Sequence, residues 1–150
     1  MIDIIVNPVA NGKKALKYAA AAEKRLKERG AEYRIHYTNA PKHATEIARE
    51  LSKTSDTIVA LGGDGTINEV FNGIDTEKVK LGLIPCGSGN DFVATANIPT
   101  EAEAAVDLIL DGEAKPTDFM VCGGVRGLNI IGTGIDVDIL KRCRKSKILK

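Results

Sequence analysis

The sequence has no tryptophan, only 4% aromatic residues, three cysteines and almost no net charge. Each scarcity closes off a class of function. A net charge of +1 makes no global electrostatic case for a nucleic-acid partner or a strongly anionic one. Cys86, Cys122 and Cys143 lie far apart, with neither disulfide-framework nor zinc spacing. No apolar run approaches the roughly 20 residues that span a bilayer. The opening Met1-Ile2-Asp3-Ile4-Ile5-Val6-Asn7-Pro8 runs straight into a strand pattern, without the basic and long apolar regions of a secretory signal. The expectation is a reduced, soluble, cytoplasmic chain, whose 150 residues suffice for one domain with a sizeable core.

Glycine, by contrast, is plentiful, and its placement organises the chain. Thr57 to Leu61 form an apolar run of the kind that a buried parallel strand shows. Gly62, Gly63 and Gly65 follow, where a backbone without Cβ atoms can take positive φ and approach a ligand closely. Ile67, Val70, Phe71 and Ile74 then recur at helical spacing. Strand, glycine turn and helix start aim free N–H groups and a positive helix end at one spot, which suits a phosphate. Asp64 sits within that turn. Its carboxylate points to Mg²⁺ or a phosphate-acceptor hydroxyl nearby, or simply to a helix cap.

The remaining pattern is repetitive. Ile2–Val6 reads as a first strand, and about Lys13 to Arg29 as a helix burying Leu16, Ala19, Ala20 and Leu26 and stopped by Gly30. Tyr33–Tyr37 is a second strand, and a helix with Ala44, Ile47, Ala48 and Leu51 inward comes next. Leu81–Pro85 is a fourth strand. Thr100 and Glu103 have capping-box spacing ahead of a helix to about Leu110. Strands alternating with helices imply a three-layer α/β sandwich with a mostly parallel sheet over residues 1–115, and ligands gather at the carboxyl ends of such strands. Asn7, Thr38, Asp64 and Asn90 all follow strand ends. Residues 116–150 break the pattern: Thr117–Cys122 and Leu128–Gly132 flank a glycine-rich hairpin signal, and a basic stretch with Lys141, Arg142, Arg144, Lys145, Lys147 and Lys150 ends the chain. This reads as the opening strands of a second, β-rich domain that is not completed. Its strand edges leave a homodimer open, and its basic stretch is either a solvated face or a contact for anionic lipid headgroups.

Three loops carry small residues that expose backbone amides: Asn7 to Gly12, Gly62 to Thr66 and Gly87 to Asp91. Such loops with nearby carboxylates suit phosphoryl transfer, which needs mainly positioning and charge neutralisation. Neither Gly-x-x-x-x-Gly-Lys-Ser/Thr nor Gly-x-Gly-x-x-Gly after the first strand occurs, which disfavours P-loop and Rossmann enzymes. Asp91 also reads as a helix N-cap, Asp118 as a surface residue, and His36 and His43 as solvated positions. Cys86 reads as a small packing residue.

Asn7-Pro8, Gly62-Gly63-Asp64-Gly65-Thr66-Ile67-Asn68-Glu69-Val70 and Pro85-Cys86-Gly87-Ser88-Gly89-Asn90-Asp91-Phe92 resemble the catalytic-domain motifs of the diacylglycerol kinase family, and most of all its bacterial lipid kinases. The resemblance continues through Asp118 and Asn129 to Asp136. It implies ATP- and Mg²⁺-dependent phosphoryl transfer to a lipid hydroxyl such as that of diacylglycerol, at the inner membrane face. It also implies nucleotide contacts from Asn7, Pro8, Asn11, Thr38, Gly62, Gly63, Asp64, Gly65, Thr66, Asn68, Glu69, Gly87, Ser88 and Asn90. Asp64, Asp91 and Asp118 would form an acidic cluster at the reacting phosphate, with no residue assigned as a metal ligand. Two departures stand out. Asn11 and Lys13 replace small residues usual in the first loop, and the second domain that supplies the family's general base is not completed here. Two rival expectations are a soluble-metabolite kinase of NAD-kinase type, which shares Gly-Gly-Asp-Gly-Thr, and a non-catalytic truncated nucleotide-binding module.

Overall fold

The computed structural model describes residues 1–145. Strands β1 (Ile2–Val6), β2 (Tyr33–Tyr37), β3 (Thr57–Gly62) and β4 (Lys80–Pro85) form one parallel sheet in the order β2-β1-β3-β4. Helices α1 (Ala10–Glu28) and α5 (Ala102–Asp111) cover one face, and α2 (His43–Leu51) and α3 (Asp64–Gly73) the other. The layering follows from alternation along doubly covered strands. Ile4, Val6, Val59, Leu61 and Ile84 pack toward α1 and α5, and Ile5, Ile58, Ala60 and Leu83 toward α2 and α3. Full burial of each such branched side chain contributes about 2 kcal/mol. Arg25 of α1 and Arg29 just after it grip Asp107 and Asp111 of α5 over the outside of the first layer, at 2.6–2.9 Å.

Helix α1 departs from the expected face. Asn11, Gly12 and Lys13 take left-handed backbone angles, with φ between 47° and 73°, so a regular helix runs only from Lys14. Ala15, Ala19, Ala22 and Leu26 are buried, whereas Leu16 and Ala20 are exposed. In a run of four alanines no bulky residue marks the inner face, and the entry turn sets the rotation. The far end is as expected. Gly30 has φ 64°, the Gly30 amide donates to Lys27 and the Ala31 amide to Leu26, which is a Schellman closure. The expected capping box does not form: α5 starts at Ala102 after an extended Glu101, and the Thr100 hydroxyl donates to the Glu101 carboxylate at 3.3 Å instead.

At the amino ends of the strands, Asp3 is fully buried. Arg34 donates to it through two nitrogens at 2.8 and 2.7 Å, Ser55 Oγ at 2.5 Å, and His36 Nε2 lies 2.7 Å away. His36 is therefore a pairing residue of β2 and not a solvated one. Burial pushes the Asp3 carboxyl upward, but the bonds from Arg34, Ser55 and His36 outweigh it and hold the group at about 2.

Past α5 the hairpin is present in a different register. β5 (Met120–Cys122) pairs antiparallel with β6 (Val125–Gly127), not with Leu128–Gly132. Gly123 and Gly124, at φ 57° and 78°, form the two-residue turn whose twist matches a hairpin. Leu128 drops onto the α2–α3 core instead of pairing. Helix α6 (Ile135–Lys145) follows and carries Lys141 and Arg142, while Lys147 and Lys150 lie outside the described residues. Among the described residues no helix is long and apolar enough to cross a membrane.

Candidate functional site

Because all four strands of the main sheet run the same way, the loops after β1, β3 and β4 emerge on one edge. The chain leaves β1 toward β2 on one side and returns to β3 on the other, so the crevice between β1 and β3 is the switch point of the topology. Asn7, directly after β1, is fixed there from two sides. Its amide N–H donates to the Leu61 carbonyl at 3.2 Å, and its side-chain Nδ2 donates to Thr66 Oγ1 at 3.1 Å. Thr66 is buried against Gly62, where a Cβ would stand 2.5 Å from the threonine side chain. Thr38 closes the end of β2, buried, with its amide donating to Val6.

The second and third loops touch backbone to backbone. A Cβ on Gly63 would come 3.1 Å from the Gly87 Cα, and one on Gly87 would come 2.6 Å from the Gly63 Cα. Close approach, and not positive φ, is what these glycines provide. Gly62, Gly63 and Gly65 are absent from the left-handed region, and the space beside Gly65 is open. The first backbone bond of α3 runs from the Ile67 amide to the Gly63 carbonyl, so the amides of Asp64, Gly65 and Thr66 lie ahead of the helical ladder. They sit at the positive end of the helix, where an anion is favoured.

Asp64 does not cap its own helix. Its Oδ2 accepts the Asn90 amide at 2.8 Å and its Oδ1 the Asp91 amide at 3.1 Å, so it caps the short helix α4 (Asp91–Thr95) from across the cleft. The N-cap position of α4 belongs to Asn90, in a left-handed conformation, and Asp91 is the first helical residue. Asn90 in turn closes its own loop. Its Oδ1 accepts the Gly87 amide at 3.1 Å and its Nδ2 donates to the Gly87 carbonyl at 3.0 Å. The first loop joins the third through Asn11, whose Nδ2 donates to the Cys86 carbonyl at 2.9 Å. Cys86 is buried and its thiol is pushed up by that burial, which suits packing and not reactivity.

The chain carrying these apposed glycines, unladdered amides and carboxylate tie has relatives among known proteins. The sequence pattern of the diacylglycerol kinase catalytic domain matches residues 2–122. The chain belongs to that family. It is 37% identical over 135 residues to a diacylglycerol kinase of Bacillus subtilis, covering 87% of this chain and 45% of that protein. It is 36% identical over 119 residues to one from Staphylococcus saprophyticus, covering 77% and 39%. The structure superposes with a TM-score of 0.79 on a solved diacylglycerol kinase of Bacillus anthracis, at 29% identity over 98% of this chain and 51% of that one. The chain thus spans about half the length of these relatives.

Within this diacylglycerol kinase fold, the residues expected at the site fall into three sets. Asn7 and Gly62 meet Thr66, Gly63 meets Gly87, Asn90 meets Gly87 and Asp64, and Asn11 joins the third loop through the Cys86 carbonyl. Pro8, Gly65, Ser88 and Glu69 lie on the same loops or the first turns of α3, and Asn68 lies one turn beyond Asp64. Asp118 stands apart, exposed between α5 and β5. Asp64 and Asp91 both flank Gly89, whose Cβ would lie 3.0 Å from Asp64 Oδ2 and 3.7 Å from Asp91 Oδ1. Among the described residues no three carboxylate, histidine or cysteine groups gather closely enough to hold a metal, so the expected three-aspartate cluster is a pair. Asn72 escaped the sequence reading. Its only signal there was an asparagine eight residues after Asp64, on the same helical face.

Proposed function

We propose that this chain forms the nucleotide-binding unit of an ATP- and Mg²⁺-dependent lipid kinase whose acceptor is a hydroxyl such as that of diacylglycerol, presented at a membrane surface. The observation that carries the proposal is the junction of the three loops at the switch point, with Asn7 on Thr66, Gly63 on Gly87 and Asp64 on Asn90 and Asp91. The names of the relatives support the acceptor class.

ATP, when bound, supplies the γ-phosphoryl group, and Mg²⁺ neutralises phosphate charge. The residues fit both. The Asp64, Gly65 and Thr66 amides, with open space beside Gly65, admit phosphate oxygens, and the apposed Gly63 and Gly87 hold the two loops together beneath them. The Asp91 carboxylate, with the lone pairs that Asp64 has left, meets the one or two carboxylates that Mg²⁺ takes when phosphates complete its shell. Thr66 and Asn7 hold the mouth of the crevice in one arrangement. A second reading, a nucleotide-binding module without turnover, is favoured by the separation of Asp118 from the two other aspartates.

Calorimetric titration of the 150-residue chain with ATP and ADP, with and without Mg²⁺, tests the proposal. Saturable binding that tightens with Mg²⁺ is expected. Asp91→Asn should remove the Mg²⁺ effect only, whereas Thr66→Val should weaken binding about tenfold in either condition, as loss of one hydrogen bond does. Assayed on diacylglycerol vesicles, the chain alone should show little or no transfer. A folded chain that binds neither nucleotide sinks the reading.

A further inference from the structure

Helix α3 has the phosphate-type turn at one end and the hairpin at the other. Asp64, Asn68 and Asn72 follow at i, i+4 and i+8, a polar stripe along one face. At its far end, Asn72 bridges both backbone groups of Arg126 in β6. The Arg126 amide donates to Asn72 Oδ1 at 2.8 Å, and Asn72 Nδ2 donates to the Arg126 carbonyl at 2.9 Å. This pairing leaves one orientation for the asparagine amide, because each backbone group accepts only one end of it. The Arg126 guanidinium donates to the Ile74 carbonyl at 2.8 Å and lies 5.1 Å over the Phe71 ring, which meets Phe119 edge-on. These contacts seat the hairpin on α3.

The same Nδ2 group also donates toward Asn68, with its carbonyl at 2.9 Å and its Oδ1 at 3.2 Å. Two protons thus face three acceptors. A cation or donor that takes Asn68 Oδ1, such as Mg²⁺ or a hydroxyl of the nucleotide, leaves both protons to the Arg126 and Asn68 carbonyls and tightens the seat. Asn68 is exposed, one turn beyond the amides proposed to take phosphate. We infer that Asn72 is a positioning residue: with Arg126 it seats the hairpin on α3, and through Asn68 it makes that seating respond to a nucleotide in the glycine loops. The inference rests on the nucleotide-binding reading above. The coupling has a sign, since nucleotide strengthens the seat, and by reciprocity the seat strengthens nucleotide binding by the same factor.

Hydrogen exchange of the Arg126 amide, measured on the whole chain with and without ATP and Mg²⁺, reads the seat directly. Saturating nucleotide should slow that exchange about fivefold in the unaltered chain. Asn72→Ala should speed it about tenfold without nucleotide and abolish the nucleotide response. Asn68→Ala, at an exposed helical position where alanine folds well, removes the competing Oδ1, so it should slow the exchange without nucleotide about as much as nucleotide does and show no further response at nucleotide concentrations that calorimetry shows to be saturating. The chain that binds nucleotide with no change at Arg126 overturns the coupling and leaves the nucleotide site standing. A folded chain that binds no nucleotide overturns the functional reading and the coupling with it. Equal Arg126 exchange in the unaltered and Asn72→Ala chains removes the seat itself.

Discussion

The α/β layers over residues 2–111 and the segment from Phe119 to Leu140 carry comparable apolar residues to opposite ends. In the layers Ile4, Ile5, Ile58, Leu61 and Ile84 are almost wholly buried. In the later segment Val121, Val125, Ile130, Ile135 and Leu140 are more than half exposed. Apolar side chains are buried where helices close both faces of a sheet. A two-stranded hairpin of three-residue strands offers no second layer, and such hairpins are marginal alone. What order it has comes from α3, through Asn72, Arg126, Phe71 and Leu128. Hydrophobicity is thus a demand, which only a covering layer meets.

Breaking the core should hurt most. Ile58→Ala should lower stability to chemical denaturation by about 3 kcal/mol through lost burial and a cavity, whereas Ile130→Ala, 84% exposed in the later segment, should change it by less than about 0.5 kcal/mol. Equal losses at the two positions would mean that the second segment is covered in solution. Next comes the packing of α2 on α3. A Cβ at Gly73 would collide with the Thr45 carbonyl and stand 2.7 Å from the Ala48 Cβ, so Gly73→Ala should cost about 2 kcal/mol.

Acid separates the two regions further. The Asp3 carboxyl lies at about 2 when folded against 3.8 as the ordinary value. Its pairing therefore stabilises the layers above pH 3.8 and fades as the pH falls toward 2, a loss of about 2 kcal/mol. Denaturation midpoints between pH 6 and pH 2.5 should fall more steeply for the unaltered chain than for Asp3→Asn, which starts lower because Arg34 and His36 lose their partner. Parallel curves would show that Asp3 keeps no low value. The smallest effect belongs to the exposed pair Lys24–Glu28, 3.9 Å apart, where Lys24→Ala should change stability by less than about 0.5 kcal/mol.

Much of this was legible beforehand, for local reasons. The four parallel strands and the inner faces of α2 and α3 follow from apolar periods over short windows, and Gly30 announces the end of α1 because its φ admits few other residues. The misreadings are local too. Four consecutive alanines left the inner face of α1 undetermined, and three left-handed residues before Lys14 decided it. The hairpin return strand is Val125–Gly127 because Gly123–Gly124 is a two-residue turn and the longer runs around it do not pair.

By itself the sequence determined the four parallel strands, the helices that alternate with them and where the backbone lacks Cβ atoms, because period and glycine placement act over a few residues. Only the tertiary structure decided what the polar side chains do. Asn7 reaches Thr66, Asp64 serves the amides of Asn90 and Asp91, Asp3 meets Ser55, and Asn72 holds Arg126. Those partners lie 26 to 59 positions away along the chain. The strand order brings them together, and no local spacing encodes it.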